Sequence, residues 1–270
     1  MTRHNLIIKN KGWAQAYDIG CKERDVLDTL ATLFGYDISQ DVPCGEPTIK
    51  ITVDIVNDCY RLRCNGYELF TSSPIQEILN IIFRETDFSP FIFPMHAGAV
   101  EANGKAHLFL AKTGMGKTTL TAYLTKQGYS YVNDDCILIN MNTLYVVVDS
   151  SSLHLRPESI SVLNHYGYEI SGTEVKTEGI HRIVYTPQCT KSDFLPIGNI
   201  FFLERSQSEN FCQPMPKEKA VQQLMESLIS PKANDINRLK CAIRLAEYCK
   251  RLVYSDMQYV ADLLEQEKGF

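Results

Sequence analysis

The sequence predicts an α/β protein built around a phosphate-binding loop, and three observations lead to this fold class. A buried strand, Ala106 to Leu110, runs into a glycine-containing turn that opens a helix. After that helix, a second apolar strand ends at the acidic pair Asp134-Asp135. Short apolar runs bounded by turn residues continue on both sides, as expected for further β-strands. Strands that alternate with helices in this way are typical of an α/β architecture.

Composition limits the classes of partner. The chain has 270 residues, 44% hydrophobic content and a formal net charge of −5, with no basic run. This length allows a sizeable core, and the acidic balance favours neither nucleic acid nor an anionic membrane as a partner. There is no signal-peptide pattern at the start, and no stretch approaches the roughly 18 apolar residues of a membrane span. The nine cysteines form no C-x-x-C pair, so we expect reduced thiols and a cytoplasmic location.

Residues 1–90 are predicted to form an N-terminal α/β lobe without catalytic motifs. Its elements, in order, are a strand at Leu6-Ile7-Ile8, a helix from Glu23 to Phe34, an alternating strand from Ile49 to Val56, a hairpin at Asn65-Gly66 and a helix that opens at Ser73-Pro74. The lobe is either a substrate-recognition module or a cover on the sheet.

Residues 91–215 are predicted to form the core, and its centre is the second half of a P-loop motif, Gly114 to Thr118. Glycines let the backbone curl with its N–H groups inward, and the helix that follows directs its positive end at an anion. Lys117 can reach the β- and γ-phosphates, and the Thr118 hydroxyl can hold Mg²⁺. Ala111 stands where the usual motif has its first glycine. The alanine is tolerated if φ at this position is negative, and its main chain is strained if φ is positive. The residues expected to bind the nucleotide are Thr113, Gly114, Met115, Gly116, Lys117, Thr118 and Thr119.

The acidic pair Asp134-Asp135 stands at the end of a strand, one helix after the loop. One carboxylate can order the shell of a metal ion, and the second can take a proton from an acceptor hydroxyl. Asn and Asp also favour simple turns. With the P-loop nearby, we favour the functional interpretation.

Other polar residues of the core are weaker candidates. His96 is the one polar side chain in the apolar run from Phe91 to Val100, where a histidine by itself is usually a core residue. Arg156, Arg182 and Arg205 are candidate substrate or phosphate contacts, although each taken singly is more typical of a surface or ion-paired arginine. Residues 216–270 show helical stripes, which we interpret as C-terminal helices packed on the core. These stripes include Val221, Leu224, Met225 and Leu228; Leu239, Ala242, Ile243 and Ala246; and Met257, Val260, Ala261 and Leu264.

The span from His96 to roughly Arg156 resembles the catalytic core of the HPr kinase/phosphorylase family. It resembles still more closely the compact related kinases, some of which act in ribosomal-peptide (lasso-peptide-like) biosynthesis. A histidine in a small-residue strand, the Gly-x-Gly-Lys-Thr loop and an Asp-Asp pair occur in that family in the same order and at matching separations. The resemblance covers less than a third of the chain. It implies an HPr kinase/PEP carboxykinase-like P-loop core with a mixed sheet.

The resemblance also implies roles for the matching residues. The loop and Lys117 would hold ATP, Thr118 and Asp134 would serve Mg²⁺, and Asp135 would be the general base for a serine hydroxyl. His96 would tune that carboxylate, which makes an active-site role the favoured interpretation of this histidine. HPr kinases are oligomeric, but the matched residues do not determine the oligomeric state. The sequence therefore leaves open whether this chain forms a homo-oligomer.

One departure from the family changes the expected substrate. The bifunctional enzymes carry a Leu-Glu-[Ile/Val]-Arg-Gly signature, and the comparable stretch here is Leu153-His154-Leu155-Arg156-Pro157. Arg156 is kept, His154 stands at the glutamate position, and Glu158 lies in a different register. We therefore expect neither phosphorolysis nor HPr as the substrate.

The sequence supports three hypotheses. The first is an ATP- and Mg²⁺-dependent kinase for a hydroxyl, in the first place a serine of a peptide or protein. The second keeps the same site but phosphorylates a small molecule, such as a free amino acid or a sugar. The third is a nucleotide-binding regulatory module without transferase activity.

Overall fold

A computed structural model describes residues 4–8, 13–34, 48–57, 59–86, 88–112, 114–149, 152–177, 180–229 and 235–266. The strands in this part of the chain are β1 (His4–Ile8), β2 (Ala16–Cys21), β3 (Thr48–Val56), β4 (Cys59–Cys64), β5 (Tyr67–Thr71), β6 (Ile92–Met95), β7 (Gly98–Ala102), β8 (Lys105–Leu110), β9 (Ser130–Asn133), β10 (Ile137–Asn140), β11 (Tyr145–Val147), β12 (Leu153–Leu155), β13 (Thr173–Thr177), β14 (Ile180–Tyr185), β15 (Phe194–Arg205), β16 (Phe211–Pro214) and β17 (Cys249–Tyr254). The α-helices in the same ranges are α1 (Arg24–Phe34), α2 (Pro74–Glu85), α3 (Lys117–Lys126), α4 (Pro157–His165), α5 (Lys217–Glu226), α6 (Ile236–Leu245) and α7 (Met257–Gln266). The protein is therefore a mixed α/β protein, as the sequence predicts.

The chain divides into two compact units. The N-terminal unit comprises Met1–Ser89 together with Gly172–Val184, and the C-terminal unit comprises Pro90–Ser171 and Tyr185–Phe270. The sequence analysis does not predict that residues 172–184 belong to the N-terminal unit. The division into segments 1–90, 91–215 and 216–270 stays a prediction.

The N-terminal unit contains a five-stranded sheet in the order β1-β2-β3-β4-β5, in which only the β2–β3 pair is parallel. Helices α1 and α2 bury Leu27, Leu30 and Ile78 in the core of this unit. The predicted hairpin is confirmed: Asn65 and Gly66 have φ of 47° and 80°, and they join the antiparallel strands β4 and β5. Two residues with positive φ give the turn the twist that matches paired strands.

A mixed sheet organises the C-terminal unit. Its main path runs β6-β10-β11-β15-β8-β7-β9, and β17 pairs with both β15 and β16. Strand β8 is buried on both faces: Leu108 and Leu110 face the core that contains α5 and α6, and Phe109 faces the core that contains α3 and α7. Each fully buried leucine contributes about 1.5–3 kcal/mol. This two-sided burial explains why β8 is a continuous apolar run.

The pairing of β7 with β8 and β9 brings distant parts of the sequence together. Strand β7 is antiparallel to both neighbours, with Gly98 opposite Phe109 on β8 and Ala99 opposite Asn133 on β9. The first residues of β7 therefore lie beside the last residues of β8 and β9. As a result, the residues just before β7, just after β8 and just after β9 meet at one edge of the sheet.

Two expectations for the C-terminal segment need correction. The segment contains β17 as well as helices, and this strand joins the main sheet through a parallel pairing with β15. In α6, Ala242 is buried as expected, but Leu239 and Ile243 are 36% and 42% exposed. Arg238 takes an inward position instead, because its guanidinium donates hydrogen bonds to the Ile92 carbonyl and the Asp235 carboxylate. The stripe Met257, Val260, Ala261 and Leu264 on α7 is buried, as predicted.

Candidate functional site

The loop that joins β8 to α3 (residues 111–116, here the glycine loop) has two positions that require glycine. Gly114 and Gly116 have φ of 84° and 85°, in the left-handed region that costs other residues roughly 1–2 kcal/mol. Ala111 is outside this region and has a negative φ. Its methyl group is therefore compatible with the position where the usual motif has glycine. Thr113 lies outside the described residues, so its role stays a prediction.

The amino end of α3 follows the glycine loop directly. The helix begins at Lys117, and its first intrahelical hydrogen bond runs from the Leu120 N–H to the Gly116 carbonyl at 2.8 Å. N–H groups in the first turn of a helix have no partner within the helix, and the helix dipole adds positive potential there. This end of α3 is suited to an anion such as a phosphate group.

Two residues expected to bind nucleotide have other contacts. The Met115 N–H donates to the Lys112 carbonyl at 3.1 Å, so it is already used within the loop. The Thr119 hydroxyl donates to Ser159 Oγ at 2.9 Å and so ties the start of α3 to α4. In this conformation, both residues stabilise the loop and its helix.

Three side chains from distant parts of the sequence meet beyond the glycine loop. Lys117 Nζ lies 3.2 Å from His96 Nε2 and donates to Asp135 Oδ1 at 3.3 Å. The lysine side chain is only 8% exposed, and a buried ammonium needs such partners because it has lost its water. His96 comes from the segment before β7 and Asp135 from the segment after β9, so the sheet edge explains the contact.

The hydrogen bonds of His96 determine which ring nitrogen carries the proton. Its Nδ1 lies 3.0 Å from the Asp135 main-chain carbonyl oxygen. A carbonyl oxygen only accepts, so Nδ1–H is the donor. The lone pair of Nε2 then faces the Lys117 ammonium and accepts from it. His96 thereby links Lys117 to the main chain of Asp135.

Asp134 is buried, and neither of its carboxylate oxygens has a hydrogen bond of full geometry, although the Thr118 hydroxyl and the Asp135 N–H lie close enough to favour its charged form. The nearest cation is the Lys117 ammonium, 4.0 Å from Oδ1. Burial, followed by the charge of Asp135, raises the pKa of Asp134 to about 7, although Lys117 and the Thr118 hydroxyl oppose the shift. A buried carboxylate with such weak donors is costly unless a proton or a cation joins it.

Asp135, the next residue, is in the opposite situation. Its side chain is 53% exposed. Partial burial opposes ionisation, but the Lys117 ammonium, the largest of the opposing effects, helps to hold the pKa of Asp135 below its usual range. The residue also has a φ of 75°, a left-handed conformation that costs non-glycine residues of order 1–3 kcal/mol and that persists where the surroundings enforce it. Adjacent aspartates thus present one inward and one outward carboxylate.

Gly98 is a site residue that the sequence analysis missed. A Cβ atom at this position would lie 2.4 Å from Thr121 Oγ1 and 2.8 Å from Asp134 Oδ1. Only glycine leaves room for the buried carboxylate beside β7. The small-residue run Ala97-Gly98-Ala99 is the signal in the sequence, but it does not say which of the three has to be small.

The residues around Asp134 fit a magnesium ion. The carboxylate supplies two buried oxygens, and Thr118 stands in the first turn of α3 with its hydroxyl beside them. Within the described ranges there is no group of three or more His, Cys, Asp or Glu side chains that could hold a metal ion by itself. Mg²⁺ commonly keeps several waters and uses one or two protein ligands together with substrate phosphates. A sparse protein site of this kind suits Mg²⁺ with a phosphate ligand.

The candidate arginines are not part of this cluster. Arg156 is an exposed residue at the N-cap of α4. Arg182 lies on β14 in the N-terminal unit, and its guanidinium donates to the His181 carbonyl at 2.8 Å. Arg205 stacks on the Tyr254 ring at 4.8 Å. Their substrate roles stay predictions, whereas His96, Lys117, Asp134 and Asp135 lie together.

Two general features bear on the class of protein. Among the described helices, none is both long and apolar enough to cross a bilayer. The eight cysteines in the described part of the chain are all free thiols.

Comparison with known proteins gives limited information. No protein family matches the chain, and no curated protein matches it. A solved structure, that of the Hpr(Ser) kinase/phosphatase from Coxiella burnetii, is similar over 65% of this chain and 99% of that chain, with 10% sequence identity and a TM-score of 0.31. A similarity at this level carries no argument about activity. The functional argument therefore rests on the residues of this chain.

Proposed function

We propose that this protein is an ATP- and Mg²⁺-dependent phosphotransferase that moves the γ-phosphoryl group of ATP to a hydroxyl, in the first place a serine of a peptide or protein. The observation that supports it most strongly is the pair of adjacent aspartates in opposite environments beside Lys117. Asp134 is buried with a raised pKa, and Asp135 is exposed with a lowered pKa. Neighbouring titratable groups whose pKa values are shifted in opposite directions commonly have different roles in catalysis.

The donor would bind at the glycine loop and the amino end of α3. N–H groups of the first helical turn and the Lys117 ammonium would hold the phosphates. Asp134 and the Thr118 hydroxyl would hold Mg²⁺, and this ion would neutralise negative charge on the phosphate oxygens. Lys117 lies 4.0 Å from Asp134 and 3.3 Å from Asp135, so this ammonium stands between the metal ligand and the base.

The acceptor would approach the exposed carboxylate of Asp135. The hydroxyl oxygen forms a bond to the γ-phosphorus, the bond from that phosphorus to the β–γ bridging oxygen breaks, and ADP leaves with that electron pair. Asp135 takes the hydroxyl proton and later returns it to water. Its lowered pKa keeps the carboxylate ionised at neutral pH. His96 fixes the main chain of Asp135 through the Nδ1–H hydrogen bond.

The acceptor class is the open part of this proposal. Since the sequence resembles compact kinases of ribosomal-peptide biosynthesis, a precursor peptide is the first acceptor to test, and small hydroxyl metabolites form the second set. A cytoplasmic location and a possible homo-oligomer remain predictions from the sequence.

The test is phosphoryl transfer from Mg-[γ-³²P]ATP to serine-containing peptides, proteins and small hydroxyl metabolites, with intact-mass detection of acid-stable phosphate. We expect Asp135→Asn to abolish transfer while ATP binding, measured by calorimetry, is retained. Asp262→Asn, an exposed aspartate of the same unit, is the matched control and should behave like the wild type. ATP binding without transfer to any acceptor would contradict the proposal and favour a regulatory module. Loss of ATP binding in Asp135→Asn would show that this residue is not the base.

A further inference from the structure

Strand β5, at one edge of the N-terminal sheet, has an exposed apolar surface that the other edge strand lacks. Tyr67, Leu69 and Phe70 are 65%, 38% and 54% exposed. In contrast, Leu6 and Ile8 on β1, at the opposite edge, are fully buried. A position at the edge of the sheet therefore does not by itself explain the exposure. Since the strand order ends at β5, one side of this strand has no neighbouring strand in the described part of the chain.

The side chains of β5 continue the apolar face of the sheet. Tyr67 lies opposite Cys64, and Leu69 lies opposite Leu62. Cys64 and Leu62 are buried in the core that contains α1 and α2, and opposite residues of an antiparallel pair share a face. The apolar face therefore extends from β4 onto β5, where Tyr67 and Leu69 stay exposed.

The turn between β4 and β5 determines which main-chain groups of β5 point outward. It is a two-residue hairpin turn, so the residues that flank it, Cys64 and Tyr67, form a hydrogen-bonded pair. Hydrogen-bonded and non-hydrogen-bonded pairs alternate along an antiparallel ladder, and the five pairs here are consecutive, without a bulge. The N–H and C=O groups of Glu68 and Phe70 thus point away from β4.

Strand β5 lacks the features that usually prevent another strand from pairing with a sheet edge. These features include proline, lysine and bulges, and the sequence of β5, Tyr-Glu-Leu-Phe-Thr, contains none of them. An edge with outward main-chain groups and exposed apolar side chains is suited to β-augmentation, in which an extended peptide joins the sheet as a further strand.

Length and charge favour a peptide over a second copy of the chain. Five residues span about 17 Å, and a strip of that length and about 10 Å wide covers roughly 170 Å², against roughly 800 Å² per partner in a stable interface. Glu68 is exposed and has no ion-pair partner among the described residues, since Arg63 opposite it lies 2.7 Å from Asp54. Because β5 contains no basic residue, a second β5 strand would not supply the cation that Glu68 lacks.

We propose that the outer edge of β5 binds an extended peptide by strand addition, with apolar side chains beside Tyr67 and Leu69 and a basic side chain beside Glu68. Main-chain hydrogen bonds to Glu68 and Phe70 provide affinity, and the alternating side chains provide selectivity. The identification of this peptide with the phosphate acceptor rests on the proposed function. Peptide binding itself does not, because β5 belongs to the N-terminal unit and the glycine loop to the C-terminal unit.

The first test uses the fluorescein-labelled peptide Ser-Val-Lys-Val-Thr-Val-Ser as the probe, with binding measured by fluorescence polarisation in the absence of nucleotide. Alternate N–H groups of an added strand face β5. We therefore expect N-methylation of one alternating set of residues to weaken binding about tenfold, the effect of one or two lost hydrogen bonds, and methylation of the other set to leave it unchanged. Equal effects of the two sets, or a probe that does not bind, would overturn the inference.

The second test changes the main chain of β5. Proline is tolerated in an edge strand where its nitrogen faces outward, so Phe70→Pro removes an outward donor and leaves the pairing with β4 intact. We expect the probe to bind Phe70→Pro about fivefold more weakly than Phe70→Ala, which also lacks the ring but keeps the N–H. Equal affinities of the two variants would contradict strand addition. A concentration-dependent dimer that only Phe70→Pro abolishes in sedimentation experiments would assign the edge to a second copy and overturn the inference.

The third test concerns charge. Glu68→Lys should weaken binding of the probe about threefold, as expected for an exposed ion pair, and replacement of the lysine of the probe by glutamate should restore it. Glu169→Lys, at an exposed glutamate of the C-terminal unit, is the matched control and should bind the probe like the wild type. Equal affinities of Glu68→Lys and the control for both probes would contradict the basic side chain in the proposal.

The inference and the proposed function fail in different experiments. If the wild type binds the probe but transfers phosphate to no acceptor, the proposed function fails and the peptide site stands. If a peptide is phosphorylated with the same KM by the wild type and by Phe70→Pro, the proposed function stands, and the role of β5 in binding the acceptor is overturned.

Discussion

Replacing Gly98 by alanine tests the packing that surrounds the buried aspartate. The new Cβ would lie 2.4 Å from Thr121 Oγ1 and 2.8 Å from Asp134 Oδ1, whereas carbon–oxygen contacts are comfortable from about 3.3 Å. Thr121 would have to retreat by about 0.9 Å and Asp134 by about 0.5 Å to reach that distance. Thr121 resists this movement because its hydroxyl is hydrogen-bonded to the Lys117 carbonyl at 3.1 Å.

The expected cost follows from these displacements. Overpacking of a filled site costs about 1–3 kcal/mol, which for a protein of this size corresponds to a fall in Tm of roughly 2–4 °C per kcal/mol. Mg²⁺ requires nearly ideal octahedral geometry, so a shifted Asp134 should bind it more weakly. We therefore expect Gly98→Ala to fold with a lower Tm and to lose most of its Mg²⁺-dependent ATP affinity.

Calorimetry measures both quantities, and a second substitution provides the control. Thr121→Ala removes the closest contact, so Gly98→Ala combined with Thr121→Ala should regain part of the lost Tm, whereas Thr121→Ala alone should leave Mg²⁺-ATP binding unchanged. A Gly98→Ala protein with wild-type Tm and wild-type Mg²⁺-ATP affinity would refute the argument from packing.

Three further predictions concern single residues. Folding raises the pKa of Asp134 from 3.8 to about 7, so the folded state binds this proton more tightly than the unfolded chain does. The Tm of the metal-free protein should therefore fall as the pH rises between those two pKa values, and it should level off above them. Asp134→Asn should remove that slope in thermal scans with EDTA, and a retained slope would assign it to another group. Gly116→Ala should weaken ATP binding about tenfold, since roughly 1.4 kcal/mol of left-handed strain corresponds to that factor; equal affinity in a titration would contradict the role of the loop. Ala111→Gly should leave ATP affinity unchanged, because the φ of Ala111 is negative, and a large gain in affinity would show that this position limits binding.

The sequence predicts best what local chemistry determines. The Asn65-Gly66 turn, the helix start at Pro74 and the strand–loop–helix around Lys117 follow from residue types within a few positions of one another. The family resemblance of the sequence also implies that His96 and the aspartates belong near Lys117. The antiparallel pairing of β7 with β8 and β9 is the physical reason why they meet.

Features that depend on non-local pairing are not visible in the sequence. The need for glycine at position 98 arises from the side chains of Asp134 and Thr121 across the sheet edge, and no local pattern encodes it. The opposite environments of Asp134 and Asp135 occur together with a positive φ at Asp135, which residue types alone do not predict. In α6, a buried, hydrogen-bonded Arg238 leaves Leu239 at the surface, which a periodicity argument assigns to the core. Similarly, β17 depends on β15 and β16 as partners.

The contact between Lys117 and Asp135 has a consequence for the order of events in a catalytic cycle. The ammonium that would hold the donor phosphates lies 3.3 Å from the proposed base. An acceptor that arrives first meets a carboxylate whose negative charge is already neutralised. In the proposed reaction, a donor that arrives first would draw Lys117 toward its phosphates and release Asp135 for the hydroxyl. We therefore expect a sequential mechanism in which ATP binds before the acceptor, with product inhibition by ADP competitive against ATP.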